Sequence, residues 1–239
     1  MGYFTVQTRP TIPASKQHAG NIADTHVLFD WTEFEIPNGT SALFQCSAII
    51  DGKNGADYAG SLDFELIFAK SHNHVAPTTL GEVGAAVDTP GWKHNVIARH
   101  LMDASLYSND GDLTFMNVHT GMLDRNRICL SPEMTTSAYN KLYVAGISKG
   151  NSFNWESNMT VDGTPATTQK NLDVADVSAL LGVAPGDVLH DQDDRLMGTV
   201  SSVTDATNIL MVDNLANAGV NDKKLYNVHP IKLILGFEN

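Results

Sequence analysis

The chain contains very little cysteine. Among its 239 residues only Cys46 and Cys129 are cysteines, and each lies within an apolar stretch typical of a strand. Two cysteines are too few for a disulfide framework, and their separation matches no metal-binding spacing such as CxxC. Because a free cysteine behaves as a small hydrophobe, we predict two buried thiols. The core must then stabilise the fold, and a hydrophobic content of 42% is sufficient for that.

Positive charge is also scarce. The chain has 15 Lys and Arg residues against 27 Asp and Glu residues, which gives a formal net charge of -12 at pH 7. A surface that neutralises phosphate groups needs clustered Lys and Arg side chains. We therefore predict no nucleic-acid partner.

Long apolar runs are missing as well. No stretch of the sequence approaches the roughly 20 apolar residues that cross a bilayer as a helix. The first residues also lack the charged segment followed by an apolar segment that marks a secretory signal. We expect a protein that is made in the cytoplasm and has no membrane partner.

The sequence lacks the local motifs of common catalytic sites. It contains no GxSxG nucleophile elbow and neither of the phosphate-binding motifs GxxxxGK[ST] and GxGxxG. Glu33 and Glu35 alternate along one predicted strand, as ordinary outward-facing carboxylates do. These absences favour a protein that is not an enzyme and needs no cofactor.

Histidines and acidic loops offer only incomplete metal sites. His72 and His74 would point to the same side of an extended segment, but a zinc site needs three or four protein ligands. The acidic loops 109–112 and 191–194 lack the spacing of an EF-hand and are predicted to be solvated turns. We predict no bound metal, and a metal-dependent hydrolase remains an alternative only if the fold brings further histidines to the first two. The candidates for this third ligand are His94, His100 and His119.

One β pattern is interrupted and later resumed. Residues 141–147 and 230–237 are the most continuously apolar short runs, and their Gly and Pro boundaries are typical of central strands. The sequence between them has its own rhythm of turns and strands, which indicates an insertion. The predicted organisation is an extended N-terminal arm (1–22), a body (23–150 completed by 229–239) and an inserted small β module (151–228).

The body is predicted to be built from antiparallel strands. In residues 27–36 the apolar face switches near Trp31 and Thr32, which predicts a bulge or a bend. The turn at 37–40 predicts a hairpin with the alternating residues 43–50. Residues 96–106 are compatible with either a short helix or a strand. Further strands are predicted at 62–68, 113–118 and 127–130.

The insertion has its own predicted elements. Asp173 could cap a short helix that ends at Leu181. Three short strands follow, separated by turns rich in Asp and Asn, and together they suggest a small barrel-like module. These strands are predicted at 185–189, 198–203 and 209–212. The fold class is therefore all-β: an antiparallel sandwich or jelly-roll-like body with a small inserted β-barrel-like module.

Aromatic residues provide the candidate binding sites. Phe153 and Trp155 lie near the start of the insertion and could stack on a sugar or a partner protein, or they could pack the insertion against the body. Trp92 could serve a carbohydrate-binding adhesin in the same way. The long loop 72–92 and the arm residues 5–20 are candidate contact regions.

Several segments resemble the virion structural proteins of tailed bacteriophages, particularly those of marine bacteria and cyanobacteria. The resemblance is carried by residues 27–37, by residues 185–189 together with 198–203, and by residues 226–231. It extends over most of the chain, includes no diagnostic motif and transfers no catalytic residue. Proteins of this kind act by assembly.

The resemblance implies a location and a partner. It indicates a protein made in the host cytoplasm that binds the outside of a capsid as a decoration or cement protein, with the major capsid protein or other virion proteins as partners. A homo-oligomer is expected, with a trimer as the first guess. A neck or tail component and a carbohydrate-binding adhesin module remain the alternatives.

Overall fold

The computed structural model describes most of the chain. The residues outside the description are 1, 37–40, 53–62, 89–90, 104, 106, 111–112, 120–127, 134–139, 151–152, 176–182 and 239.

The described residues form fifteen strands and one five-residue helix, which confirms the predicted all-β class. The helix is α1 (Ala14–His18). The strands are β1 (Tyr3–Thr8), β2 (Val27–Glu35), β3 (Ser41–Asp51), β4 (Phe64–Ala69), β5 (Val96–Met102), β6 (Tyr107–Asp110), β7 (Leu113–His119), β8 (Ile128–Leu130), β9 (Lys141–Ser148), β10 (Asn171–Asp173), β11 (Val188–Asp191), β12 (Leu196–Asp205), β13 (Asn208–Met211), β14 (Leu225–Asn227) and β15 (Ile231–Glu238).

Two antiparallel sheets form the body. The large sheet has the order β1-β15-β3-β7-β6, with β8 also paired to β3, and the small sheet has the order β2-β9-β4-β5. Buried side chains from both sheets share one hydrophobic core. Phe34 of the small sheet, for example, stacks on Phe237 of the large sheet with 6.2 Å between ring centroids. This arrangement is a β-sandwich.

The two apolar runs that bracket the insertion are central strands, as predicted. β9 pairs with β2 on one side and β4 on the other, and all its residues after Lys141 are buried. β15 pairs with β1 and β3. Gly146 of β9 lies directly against the ring of Phe29, so the small sheet has no room for a side chain at this point.

β2 has the predicted irregularity but not the predicted partner. Its register with β9 shifts between Phe29 and Thr32, which confirms the expected bulge. The predicted hairpin with β3 is wrong, because β2 lies in the small sheet and β3 in the large sheet. A turn sequence predicts that the chain changes direction, whereas the partners are chosen by long-range burial: β2 pairs with the apolar β9, and β3 pairs with the apolar β15.

The remaining strands of the body lie close to their predicted positions. The sequence of residues 96–106 was compatible with a helix or a strand, and the structure has strand β5 there, which pairs with β4. The alternating stretch 62–68 becomes β4, in which Phe64, Leu66 and Phe68 are buried, while residue 62 lies outside the described part.

The insertion contains a separate antiparallel sheet with the order β10-β13-β12-β11-β14. We call it the insertion sheet. Among the described strands, pairing does not return from β14 to β10, so the sheet is open and the barrel-like prediction is not met. Its two edge strands have only three residues each, too short to close a barrel. Its own core has Met159, Leu172, Leu189 and Ile209 among its buried residues.

Asp173 ends strand β10 and does not begin a helix there. The rest of the predicted helix, from residue 176 onwards, lies outside the described residues.

The N-terminal segment differs from the predicted arm. β1 pairs with β15 over six residues and forms an edge of the large sheet, and Ile12 is fully buried in the body core. Residues 5–20 lack a continuous hydrophobic period because the segment contacts the body and the insertion in turn. These contacts come from a strand, a turn and a helix, each of which has a different side-chain period.

Candidate functional site

The chain crosses between the body and the insertion beside one residue, Asp51, at the end of β3. On the outgoing crossing, the indole Nε1 of Trp155 donates a hydrogen bond to the Asp51 carbonyl oxygen at 2.9 Å. On the returning crossing, Asn227 Nδ2 donates to Asp51 Oδ2 at 2.9 Å, and the Asp51 amide donates to the Pro230 carbonyl at 2.8 Å. Asp51 therefore anchors both connections.

A small polar cleft opens at this point. Its volume is about 140 Å³, and its walls come from the N-terminal segment, the body and the insertion. We call it the junction cleft, and its lining residues are Arg9, Ile49, Asp51, Ala184, Asp187, Asn227, His229 and Lys232.

The two carboxyl groups of the junction cleft hold protons more tightly than usual. Burial raises the pKa of Asp51 from 3.8 to about 7, the negative charge of Asp187 adds to the rise, and the hydrogen bond from Asn227 opposes it. Burial also raises the pKa of Asp187. The backbone hydrogen bond from Ala184 and the charge of Arg9 oppose the shift at Asp187. The cleft can therefore take up and release a proton near neutral pH.

Basic side chains also line the junction cleft. Arg9 NH1 lies 3.6 Å from Asp187 Oδ1 and 3.5 Å from the Gly186 carbonyl oxygen. His229 Nδ1 lies 3.2 Å from the carbonyl oxygen of Pro10, which requires the hydrogen on Nδ1. The side chain of Arg9 is 42% exposed, so water weakens its attraction for Asp187.

The N-terminal segment fastens the insertion from a second side. The Ile12 amide donates to the Val228 carbonyl at 2.8 Å, and Gln17 Nε2 donates to the Asn227 carbonyl at 2.8 Å. The Ser15 amide donates to Asp194 Oδ1 at 2.9 Å, and His18 Nδ1 lies 2.9 Å from the Tyr226 hydroxyl. The same helix is tied to the body through the ion pair of Lys16 with Glu82.

Phe153 and Trp155 are packing residues. Phe153 is fully buried, Trp155 is 4% exposed, and both belong to the core of the body. Their ring centroids are 5.3 Å apart, and Phe153 also makes an edge contact with Phe64 at 5.9 Å. Neither ring presents a face on which a sugar could stack. Of the two roles considered for them, the geometry favours packing of the insertion against the body.

Trp92 occupies a different environment. It is half-buried and makes an edge contact with Trp31, with 6.4 Å between ring centroids. Its indole N–H is buried and has no hydrogen-bond partner within the described part of the chain. A buried N–H cannot reach a bound sugar, and Trp92 does not line the junction cleft.

The histidines form no metal site in the described part of the chain. His72 pairs with Val75 around a tight turn in which Asn73 and His74 have positive φ, so this segment is not extended. The short side chains of Asn and Asp tolerate such φ values best, and Asn73 fits this preference. His72 stacks on His94 at 5.7 Å, and no group of three or more potential ligands converges among the described residues.

The acidic loop 191–194 is held by internal bonds. The buried Asp191 carboxylate accepts hydrogen bonds from the amides of Asp193 and Arg195 at 3.0 Å and pairs with the Arg195 guanidinium at 2.6 Å. These contacts occupy the carboxylate oxygens and hold the loop as a turn, as predicted, but Asp191 is buried and the prediction that this turn is solvated is wrong for it.

The insertion also exposes large apolar side chains. Their exposed fractions range from 38% to 47%, well above those of the insertion core. They are Leu196, Val203, Val212 and Val220. A partner protein that covered them would remove this apolar surface from water.

Comparison with known proteins leaves the chain without a family assignment. No protein-family model matches it, and no curated protein shows significant similarity to it. The described part contains no helix long and apolar enough to cross a membrane.

Sequence reasoning did not identify the residues of the junction cleft. Asp51 and Asp187 each occupy a turn-like context next to a predicted strand, where Asp is common for backbone reasons. The available signal was the interruption of the body at 150 and its return at 229, which requires two crossings near one another. It does not show which side chains lie beside them.

Proposed function

We propose that the chain is a non-enzymatic structural protein of a bacteriophage virion that binds the outer capsid surface as a decoration or cement protein. The proposal rests on the resemblance of its segments to virion proteins, and one structural observation supports it most strongly. The insertion is fastened to the body by Asp51, Asn227 and the N-terminal helix, in an arrangement that suits a module held in one orientation.

The insertion is the surface that we propose for the partner. It exposes Leu196, Val203, Val212 and Val220, whereas the aromatic pair of Phe153 and Trp155 is buried. Apolar side chains on a rigid module gain free energy when a partner excludes water from them. We assign the major capsid protein as this partner and expect the protein to act as a homo-oligomer, with a trimer as the first state to test.

The junction cleft fits a structural role. Its volume of about 140 Å³ is smaller than the roughly 300 Å³ at which ligand pockets usually begin. Its polar groups bond one another: Asn227 bonds Asp51, and Arg9 pairs with Asp187. These interactions join segments of the protein and require no bound substrate.

The partner surface can be tested with Val203→Asp. A charge placed on a side chain that is 38% exposed should leave folding intact but should be costly once a capsid surface covers it. We expect at least about a tenfold loss of affinity. The measurement is co-sedimentation of the purified protein with capsids that lack it, together with thermal unfolding of the free protein.

Ser201→Asp is the matched control, because Ser201 is an exposed residue of the same strand, β12. It should retain binding. An unchanged affinity for Val203→Asp would remove this side chain from the interface. An equal loss in both variants would indicate a general effect of negative charge.

Immunogold labelling of the purified parent phage tests the location. Antibody against this chain should label the head evenly if the protein decorates the capsid. Labelling confined to the neck or tail would replace the proposal with a neck or tail component. An unlabelled particle, with control antibodies showing an accessible surface, would count against a virion protein and favour the carbohydrate-binding adhesin.

A further inference from the structure

We propose that the junction cleft is a proton-operated latch: it holds the insertion against the body while Asp51 is protonated and loosens when Asp51 and Asp187 are both ionised. The latch is a property of the fold and does not depend on the proposed virion role.

The position of Asp51 makes it suitable for this role. Its backbone and side chain bond three residues that lie far from it in the sequence: Trp155 and Asn227 of the insertion, and Pro230 where the chain re-enters the body. The insertion cannot move away from the body without breaking the bonds to Trp155 and Asn227, whereas the bond to Pro230 lies within the body. The Asp51 carboxyl shares the junction cleft with Asp187 of the insertion, so repulsion between their charges acts between the body and the insertion. The bond from Asn227 favours the ionised form of Asp51 and opposes part of this effect.

The charges around Asp51 set the direction of the effect. Asp187 faces it from the insertion, Arg9 from the N-terminal segment, and His229 and Lys232 from the returning chain. Arg9 and Lys232 offset part of the repulsion between the two carboxylates. The most direct ion pair, Arg9 with Asp187, is long at 3.6 Å and partly exposed, so it leaves much of the burial cost of a second negative charge in place.

The dependence on pH follows from linkage. We call the contact between the body and the insertion at the junction cleft the joint. The pKa of Asp51 is about 7 when the joint is closed, against an ordinary value of 3.8 that we take for the open joint. Between these two pH values Asp51 therefore holds a proton in the closed joint and releases it in the open joint. Below the lower value both states are protonated, and pH has no effect on this group. Between the two values the opening equilibrium constant should rise by up to about tenfold per pH unit, and above pH 7 it should level off.

Hydrogen exchange of the full-length protein can measure the opening. The amides of Ile12 and Ser15 report on the contact between the N-terminal segment and the insertion, because they donate to the Val228 carbonyl and to the Asp194 carboxylate. We expect their protection factors, corrected for intrinsic exchange, to fall at least about tenfold between pH 5 and pH 8. The amides of β9 in the body and β12 in the insertion should change less.

Asp51→Asn is the decisive variant, because an amide oxygen can still accept the bond from Asn227 while the group no longer ionises. It should remove most of the fall in protection at the joint. The latch would be disproved if the protection factors of the wild-type protein did not fall as the pH rises, or if they fell equally in Asp51→Asn. An equal fall throughout β9 and β12 would also overturn it, since this would indicate loss of global stability.

A second variant keeps the proposal testable if Asp51→Asn does not fold. Asp187→Asn removes the negative charge beside Asp51 while its oxygen can still accept the bond from the Ala184 amide. This change should make Asp51 easier to ionise and reduce the fall in protection. The midpoint of the remaining fall should move to lower pH. An unchanged midpoint and amplitude would contradict coupling between the two carboxyls.

Discussion

Replacement of Phe153 by Ala is expected to lower the free energy of unfolding by about 3–5 kcal/mol. The side chain is fully buried in the core of the body, where it contacts the rings of Phe64 and Trp155. Its loss removes apolar contacts and leaves a cavity that the surrounding strands can fill only in part. Its backbone bridge to Ile22, with N–O distances of 2.8 and 3.1 Å, would hold the chain in place and limit that collapse.

Chemical unfolding followed by far-ultraviolet circular dichroism measures this effect. Phe153→Leu should lose much less stability, because it keeps most of the buried volume. Tyr3→Ala is the exposed control, since Tyr3 is 67% exposed, and it should cost about 1 kcal/mol or less. A small loss for Phe153→Ala would contradict the packing role and return this residue to the candidates for ligand contact.

Replacement of Gly146 by Ala is expected to cost about 3 kcal/mol, at the upper end of the usual range for an overpacked core. A Cβ at this position of β9 would lie 2.3 Å from Phe29 Cε1 and within 2.8 Å of two further ring atoms. Phe29 is fully buried, so its ring can yield only by displacing other core side chains. The clash lies at a central strand, where the backbone is paired on both sides.

A double-mutant cycle tests the cause. Phe29→Leu alone should destabilise the protein, but combined with Gly146→Ala it should cost less than the sum of the two single changes, because the smaller side chain leaves room for the methyl group. Gly2→Ala is the control, since a Cβ there meets nothing within 4 Å. Strict additivity in the cycle would show that the Phe29 ring is not the source of the loss.

The sequence predicts the central strands of this fold best. Apart from Lys141 and Lys232, residues 141–147 and 230–237 are apolar, because β9 and β15 are paired on both edges and mostly buried, and few other structures suit such short runs. The bulge in β2 was predictable for a similar reason, since the apolar face changes side near Trp31 and Thr32. Both signals are contained in a few neighbouring residues.

The errors arose where structure depends on distant partners. The turn at 37–40 predicts a local hairpin, but β2 gains more by pairing with β9, and β3 by pairing with β15. Residues 5–20 lack a hydrophobic period, yet Ile12 is buried and Gln17 bonds a carbonyl 210 residues away. A polar side chain with a distant backbone partner leaves no periodic signal in the sequence.

The roles of the residues at the candidate site also depend on distant partners, so the sequence alone did not predict them. Phe153 and Trp155 were identifiable as aromatic residues beside a predicted boundary, but sequence alone does not distinguish a buried pair from an exposed one. Asp51 gains its importance from a side-chain partner 176 residues away and from burial that raises its pKa to about 7. In the sequence it is only an acidic residue at the end of a strand.

The pairing of β1 with β15 determines when the large sheet can be completed. Tyr3 and Glu238, which are 235 residues apart, bond across this pair. During synthesis β1 is made before β15 and lacks this partner strand while the insertion is made. The core of the insertion includes Leu225, which is made shortly before β15, so the insertion and the large sheet are completed at nearly the same time. Until then the backbone of β1 lacks its partner strand and is open to other chains. Nascent chains stalled before residue 231 should therefore depend most on chaperones.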